Sequence, residues 1–335
     1  MSDSRPSHPS GKTIGIALGS GSARGLAHVG ILQGLRDMGV EPDIVCGSSM
    51  GALVGACYAG GNLDDFAEWV CQLSTRDVLR FLGIRLLAQG GVAEAGRLIQ
   101  HLRDTFGDTS IEDLPRTYAA VATDLYRGRE VWLQKGSVWD AVRASIAIPG
   151  MLTPSLHNGE RWLVDGALVN PVPVSLCRAM GADLIIAVNL NSTIVGRAAP
   201  VPPQLPVAEQ AELLETALPE GEGEPSMSYS LVGRIGTVLR GATRPVRKIW
   251  SGNGAGGVPR GPGTFEVMLG AINVMQDRIT RSRLAGEPPD VLLAPRLYDI
   301  GLLDYQRGTE AIAAGRACVE RLAEPIRHAL DTLGS

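Results

Sequence analysis

The sequence predicts an α/β protein with a mainly parallel central sheet that helices cover on both faces. Two strand–turn–helix units follow each other near the start of the chain, over 13–38 and 42–59. A later segment, 184–190, is almost continuously apolar, which is typical of a strand buried on both faces. Strands that alternate with helices in this way form parallel sheets between two helical layers.

The two units have clear local patterns. The short apolar segment 13–18 is typical of a buried strand, and it ends in a glycine-rich loop. Apolar residues then recur at helical spacing over 24–38, and a glycine ends the helix. In the second unit the apolar segment 44–46 turns at GSSMG into a helix of small residues over 52–59. Helical patterns over 63–107 predict a flap of helices above the sheet.

Strands and helices continue to alternate along the rest of the chain. A capping-box pattern at Ser137 begins one further helix. The other strand-like segments are 118–124, 130–133, 162–164 and 291–294, and helical spacing recurs over 265–281 and 310–330. We therefore expect the end of the chain to pack back on the main domain.

Composition divides the chain into four parts. A polar tail, 1–12, precedes the main domain over 13–191. The segment 192–262 is rich in Ala, Pro, Gly and acidic residues, which is typical of a variable, mobile insertion. A C-terminal segment, 263–335, follows it. Within the insertion, 232–250 carries five basic residues among apolar ones, and both a membrane-surface segment and a solvated loop are open interpretations.

Composition and charge narrow the class of protein. The formal net charge of -4 provides no basic field, so nucleic acid is not an expected partner. The polar start of the chain lacks the apolar core of a signal peptide, and no segment has the roughly 18 consecutive apolar residues of a membrane span. The five cysteines are scattered and never spaced as CxxC, which predicts neither a disulfide framework nor a metal site. These features predict a cytoplasmic protein and leave its oligomeric state open.

The sequence Gly47-Ser48-Ser49-Met50-Gly51 has the G-x-S-x-G pattern of a nucleophilic serine. A serine on a sharp strand-to-helix turn needs small neighbours, because the backbone has to pass closely on both sides. An apolar strand leads into this pattern, and a helix of small residues leads out of it. The context favours Ser49 as a nucleophile over Ser49 as a simple helix N-cap.

A nucleophilic serine needs a base, which is most often a histidine. None of the five histidines follows a strand as a triad histidine does, although His328 lies late enough in the chain to keep a triad open. Asp165 is the better candidate, because the apolar segment 162–164 delivers it to a strand end and Gly166 lets another backbone approach. Partial burial would match the pKa of this carboxyl group to the task.

The loop 19–25, GSGSARG, lies between a strand and the N-terminus of a helix. Backbone N–H groups and the helix dipole converge there on negative charge, as stabilisation of an oxyanion requires. Arg24 either locks this loop or adds positive potential. Dinucleotide binding, with Glu41 or Asp43 on the ribose, is a rival interpretation, but the third glycine falls one residue late and Asp43 precedes its strand.

These three elements, in this order, resemble the patatin-like phospholipase family and, more closely, its bacterial RssA-like branch. The matching stretches are LGSGSARGLAHVG, ASIAIPG, LVDGALVNPVPVSL and GADLIIAVNL, and the similarity resumes over 266–330. The resemblance implies a three-layer α/β/α fold and hydrolysis of lipid acyl esters without metal or cofactor, a carboxylic ester hydrolase activity (EC 3.1.1.-). One departure is the G-S-G-S loop, where many members have consecutive glycines.

The resemblance also implies roles for residues of this chain. It makes Ser49 the nucleophile and Asp165 the base of a dyad. It assigns the oxyanion hole to the N–H groups of Gly21, Ser22 and Ala23, loop support to Gly19, Arg24 and Gly25, and the tight turns to Gly47, Gly51 and Gly166. The expected partner is a lipid or another acyl ester, with peripheral contact at the inner membrane face as a further expectation. The alternative is a regulatory binding protein that keeps the fold with little turnover.

Overall fold

A mixed sheet of eight strands forms the centre of the computed structural model, which describes residues 11–81, 96–192 and 264–334. The strands are β1 (Ile14–Leu18), β2 (Ile44–Ser48), β3 (Thr117–Asp124), β4 (Arg129–Leu133), β5 (Ser155–His157), β6 (Arg161–Asp165), β7 (Leu184–Val188) and β8 (Val291–Leu293). Their order is β5-β6-β3-β2-β1-β7-β8, and β4 also pairs with β3. The run from β3 to β8 is parallel, whereas β4, β5 and β6 pair antiparallel. The predicted, mainly parallel sheet is confirmed.

Helices flank this sheet in the described ranges. They are α1 (Ala27–Asp37), α2 (Met50–Ala59), α3 (Leu63–Cys71), α4 (Thr75–Phe81), α5 (Gly96–Phe106), α6 (Val138–Ser145), α7 (Val174–Ala179), α8 (Thr264–Gly286), α9 (Gly308–Arg321) and α10 (Ala323–Gly334). Short 3-10 turns lie at Ser22–Leu26, Ile111–Asp113, Gly166–Leu168 and Tyr305–Arg307.

Alternate residues of the central strands enter two separate hydrophobic clusters. On β7, Leu184, Ile186 and Val188 belong to the larger cluster, whereas Ile185 and Ala187 belong to the smaller one. Helices α1, α2 and α9 contribute to the larger cluster, and α7 contributes to the smaller. Burial of one such aliphatic side chain stabilises a fold by about 1.5–3 kcal/mol, so burial on both faces of the sheet stabilises this one. The expected three-layer α/β/α arrangement is therefore present.

Two elements differ from the sequence predictions. The expected helix over 310–330 is divided at Leu322 into α9 and α10. The reason is Pro325, which has no N–H for the carbonyl of Arg321 and whose ring crowds that carbonyl. The segment around His157, which lies outside the strand-like segments of the sequence, forms β5 and pairs with β6.

The described residues, except Thr264, belong to one compact unit. A second unit, 196–264, falls outside the described residues except for Thr264. The predicted insertion over 192–262, with its basic segment 232–250, therefore lies almost wholly outside them, as does most of the tail 1–12. The predicted flap over 63–107 contains α3, α4 and α5, and its residues 82–95 lie outside the described ranges as well.

Strand β3 brings the ends of β2 and β6 together. β2 runs parallel to β3 and ends with Ser48 opposite Val121, whereas β6 runs antiparallel and ends with Asp165 opposite Ala122. β4 pairs with β3 along the whole of Ala120–Asp124. Because a strand has two edges, β2 and β6 share the other edge of β3 and their C-terminal ends meet. The turn after β2 therefore lies beside Asp165.

Candidate active site

Ser49 occupies the turn between β2 and α2, with a backbone φ of 56° and ψ of -122°. A residue with a Cβ adopts a positive φ only at a cost of order 1–3 kcal/mol, so the surrounding structure has to hold the turn. Ser145 does so: its Oγ accepts a hydrogen bond from the Ser49 N–H at 2.9 Å and donates to the Val121 carbonyl at 2.6 Å. Ser145 lies in the ASIAIPG stretch, and no local pattern there indicates this role.

Close backbone contacts explain two of the turn glycines. A Cβ at Gly51 would lie 2.0 Å from the carbonyl oxygen of Leu18, at the end of β1. A Cβ at Gly166 would lie 2.2 Å from the carbonyl oxygen of Val121. Both distances are far below van der Waals contact. A side chain at either glycine would therefore push that glycine away from the neighbouring strand.

Asp165 ends β6 and faces Ser49. Its Oδ2 accepts a hydrogen bond from Ser49 Oγ at 2.6 Å, and its Oδ1 accepts one from the Ala167 N–H at 2.8 Å. Thr123 Oγ1 donates to its carbonyl oxygen at 2.8 Å, which holds the strand end. Burial raises the pKa of Asp165 to about 6, although the two hydrogen bonds to its carboxylate lower it in part. The carboxylate is therefore a stronger base than an exposed aspartate.

No histidine pairs with Ser49 in the part of the chain that the structure describes. His28 is buried in α1, where its Nε2 lies 2.7 Å from the carbonyl oxygen of Gly19. Burial lowers the pKa of His28 to about 4, and because a carbonyl oxygen only accepts, we assign the proton of the neutral ring to Nε2. His328 lies on α10, which packs against β7 and β8, and it does not line the cavity at Ser49.

The three predicted oxyanion donors differ in what their N–H groups bind. The Ala23 N–H donates to the carbonyl oxygen of Leu302 at 3.0 Å. Within the described residues the N–H groups of Gly21 and Ser22 donate to no other group, and both residues line the cavity at Ser49. Gly21 and Ser22 are therefore available to an oxyanion, whereas Ala23 is already engaged.

The predicted supporting residues surround this loop. The Gly19 N–H donates to the Val188 carbonyl at 3.1 Å, which ties the loop to the end of β7. Arg24 is buried, and burial lowers the pKa of its guanidinium to about 10. Its Nε has no hydrogen-bond partner within the described residues. Gly25 lies against the side chain of Met50, beside Ser49. The supporting role of these three residues stays a prediction.

Ser49 and Asp165 line a cavity of about 30 Å³. Its lining consists of Ser20, Gly21, Ser22, Ser49, Ile148, Met151, Asp165, Ile272, Asn273, Gln276 and Leu302. A cavity of this volume holds about one or two water molecules, so a reacting ester group fits and an acyl chain has to extend beyond it. Asn273 and Gln276 come from α8, and no sequence motif connects that helix with Ser49.

Comparison with known proteins identifies the family of this chain. A family model described as patatin-like phospholipase matches residues 16–178. The chain therefore belongs to the patatin-like phospholipase family, a family of lipid hydrolases. An uncharacterized NTE family protein of Mycobacterium tuberculosis is 36% identical over 334 residues, which span 93% of this chain and 91% of that protein.

More distant relatives share about half of this chain. Lysophospholipase nte1 of Emericella nidulans is 32% identical over 190 residues, which span 54% of this chain and 12% of that protein. A patatin-like phospholipase domain-containing protein of Caenorhabditis elegans is 34% identical over 187 residues, 54% of this chain and 14% of that protein. Among solved structures, VipD from Legionella pneumophila aligns over 98% of this chain and 80% of its own, with 12% identity and a TM-score of 0.36. The RssA-like branch stays a prediction.

The described residues offer neither a metal site nor a membrane-spanning helix. The described ranges contain no group of three or more His, Cys, Asp or Glu residues that could hold a metal ion. No helix within them has the length and hydropathy that crossing a bilayer requires. All five cysteines are free thiols, and Cys71 alone among them is exposed.

Proposed function

We propose that this chain is a carboxylic ester hydrolase that deacylates lipids, with Ser49 as nucleophile and Asp165 as its base. The observation that carries the proposal is the 2.6 Å hydrogen bond from Ser49 Oγ to the buried carboxylate of Asp165. The family membership supports lipids as the substrate class. The available N–H groups of Gly21 and Ser22 support an oxyanion hole in the same cavity.

Acylation and deacylation use the same groups in this mechanism. Ser49 Oγ attacks the ester carbon while its proton passes to Asp165, and Gly21 and Ser22 donate to the oxyanion that forms. Asp165 then returns the proton to the leaving alcohol, and an acyl ester remains on Ser49. A water molecule attacks this ester, its proton passes to Asp165, and the carboxylic acid leaves as the proton returns to Ser49 Oγ.

We expect a fluorophosphonate probe to label Ser49. We expect the Ser49→Ala substitution to abolish both this labelling and the hydrolysis of a short-chain nitrophenyl ester. The attacking oxygen is then missing, so the expected loss of turnover is at least about 10³-fold. Mass spectrometry of the labelled peptide identifies the modified serine. Ser48→Ala is the matched control, because the buried Ser48 Oγ has no partner within the described residues and its removal leaves no group unpaired. Full turnover by the Ser49→Ala chain contradicts the proposal.

A regulatory protein with little turnover remains the second candidate. This candidate predicts a different outcome of the labelling and turnover experiments from that expected of a hydrolase. The folded wild-type chain would then show no probe labelling and no turnover on a panel of esters and phospholipids. The hydrogen-bonded pair of Ser49 and Asp165 favours the hydrolase, because a binding protein has no need of a buried carboxylate beside a serine.

We also propose that the chain contacts membranes peripherally through an exposed face of the sheet. This exposed face consists of Leu125, Trp132, Leu156 and Trp162, each 40–49% exposed. Trp162 pairs with Leu156 across β5 and β6, and the Leu125 N–H donates to the Trp162 carbonyl. Trp132 pairs with Val121 on β3, four residues before Leu125, so strand alternation puts all four side chains on the same face.

The aromatic composition of this exposed face suits the interface of a bilayer. Trp162 precedes Asp165 by three residues of extended strand, about 10 Å, and strand alternation puts the two side chains on opposite faces of β6. Arg127, which pairs with Asp124, is exposed in the turn that follows Leu125, where it can approach lipid phosphates. Half-exposed tryptophans are typical of protein surfaces that contact the membrane interface.

We expect Trp162→Glu to lower binding to vesicles of anionic phospholipid by about tenfold or more, because a carboxylate enters the contact. Co-sedimentation with vesicles measures the binding. Leu292→Glu is the matched control, since Leu292 is 42% exposed but lies on β8 at the opposite end of the strand order. Turnover of the soluble ester should stay unchanged in both chains. Equal vesicle binding by the two variants contradicts the contact.

A further inference from the structure

Three hydrogen bonds join the glycine-rich loop to the C-terminal segment. Ser20 Oγ donates to Gln276 Oε1 at 3.2 Å, Ser22 Oγ lies 2.8 Å from the Tyr305 hydroxyl, and the Ala23 N–H donates to the Leu302 carbonyl at 3.0 Å. All three partners lie outside the region that the family model matches, 16–178. The C-terminal segment therefore reaches the site through the side chains of two loop serines and the backbone of Ala23.

Ser22 has an unusual conformation for a serine. Its φ is 50°, in the left-handed region, and its side chain is buried in the wall of the cavity that contains Ser49. Glycine adopts this φ freely, whereas a residue with a Cβ loses about 1–2 kcal/mol there. Strain of this kind persists only where the surrounding structure holds it, and it clusters at functional sites. The hydroxyl group is the only part of Ser22 beyond its Cβ, so any function of this side chain belongs to the hydroxyl group.

The hydrogen bond between the two hydroxyls has a preferred direction. A phenol is a stronger acid than an alkyl alcohol and hence the better donor, while the alcohol oxygen is the better acceptor. Burial, together with the nearby charge of Asp165, raises the pKa of Tyr305, so the phenol keeps its proton at neutral pH. Tyr305 therefore donates to Ser22 Oγ. The proton of Ser22 is then free to turn toward the cavity that Ser22 lines.

We propose that Ser22 supplies its hydroxyl, in addition to its N–H, as an oxyanion donor, and that Tyr305 is the positioning residue that aims it. The inference rests on the proposed function, because an oxyanion forms only if Ser49 attacks an ester. No proton is transferred: the Ser22 O–H donates a hydrogen bond that shortens as charge develops on the carbonyl oxygen. The hydroxyl thus replaces the donor that the Ala23 N–H, bonded to Leu302, does not offer.

The test is a double-mutant cycle of Ser22→Gly and Tyr305→Phe on the soluble nitrophenyl ester. Ser22→Gly keeps the backbone N–H and relieves the positive φ. We expect its kcat to fall about 10–100-fold with little change in KM, while its free energy of unfolding stays equal or rises. Tyr305→Phe should lower kcat about 3–10-fold, because the hydroxyl of Ser22 is no longer aimed. The double variant should be no slower than Ser22→Gly, since Tyr305 acts through Ser22.

Each outcome decides the proposal. Wild-type kcat in the Ser22→Gly chain overturns the role of the hydroxyl, and multiplicative losses in the double variant overturn the positioning role of Tyr305. Tyr126→Phe, which removes a phenol that is 80% exposed, is the matched control and should leave kcat unchanged. The rate of fluorophosphonate labelling at Ser49 gives a second readout, because phosphonylation also places charge on an oxygen in this hole. Failure of this inference leaves labelling of Ser49 intact, whereas failure of the proposed function abolishes it.

Discussion

Replacement of Asp165 by asparagine should lower turnover of a soluble ester about 10²–10⁴-fold and at the same time stabilise the fold. The loss of turnover follows because the amide cannot take the proton of Ser49, and general bases contribute rate factors of this size. The chain retains its shape, since an amide oxygen still accepts from the Ala167 N–H. The steady-state rate on a nitrophenyl ester measures the first effect, and urea unfolding measures the second.

The sign of the stability change follows from the pKa of Asp165, which burial raises from an ordinary 3.8 to about 6. The folded chain then binds the proton more tightly than the unfolded chain, so the stability that this proton contributes is full below about pH 4 and is lost as the pH rises through 6. At 1.36 kcal/mol per pKa unit, the ionised carboxylate destabilises the fold by up to about 3 kcal/mol above pH 7. The Asp165→Asn chain should therefore be more stable than the wild type at pH 8 and nearly equal to it at pH 4.

The wild-type enzyme should show the same ionisation in its kinetics. Its kcat/KM should rise with pH, reach half of its maximum near pH 6, and stay level above pH 7, because only the ionised carboxylate acts as a base. Asp140→Asn is the matched control, since the Asp140 side chain is 64% exposed and bonds Arg103 away from the cavity. Wild-type turnover and an unchanged pH profile in the Asp165→Asn chain would contradict the role of Asp165.

Replacement of Gly51 by alanine should destabilise the fold by about 3 kcal/mol or more. The added Cβ would lie 2.0 Å from the Leu18 carbonyl oxygen and 2.8 Å from that of Gly19. These atoms belong to the end of β1, which is paired on both edges and cannot move aside without loss of sheet hydrogen bonds. Overpacking against fixed backbone belongs to the most destabilising kind of substitution. Urea unfolding measures the change, and labelling of Ser49 should fall with it.

The control for this prediction is Gly270→Ala. Gly270 is also in a helix, α8, but it is exposed, and a Cβ there would contact no heavy atom within 4 Å. Alanine should stabilise that helix by about 0.5–1 kcal/mol, because glycine loses more backbone entropy on folding. Equal stability of the Gly51→Ala chain and the wild type would show that β1 and α2 are not packed as closely as the structure has them.

Sequence patterns predict a structural feature best where the residues that cause it are neighbours in the chain. The strand-to-helix turn at Ser49 is visible in the sequence, because an apolar strand, a small-residue turn and a helix follow each other within a few positions. The parallel sheet is visible for the same reason. Helical spacing continues on both sides of Pro325 and hides the break between α9 and α10. Strand β5 leaves no alternating pattern in the sequence, because it has only three residues.

The sequence by itself determined the nature of the protein: an α/β fold, a serine on a tight turn, an aspartate at a strand end and a glycine-rich loop. Only the tertiary structure decided how they combine. Asp165 meets Ser49, 116 residues away, because β2 and β6 share one edge of β3. The C-terminal segment decides which loop donors are available, because Leu302 engages the Ala23 N–H and Tyr305 binds Ser22, 283 residues before it. Hydrogen bonds over such separations leave no periodic trace in the chain, since they depend on register and packing rather than on neighbouring residues.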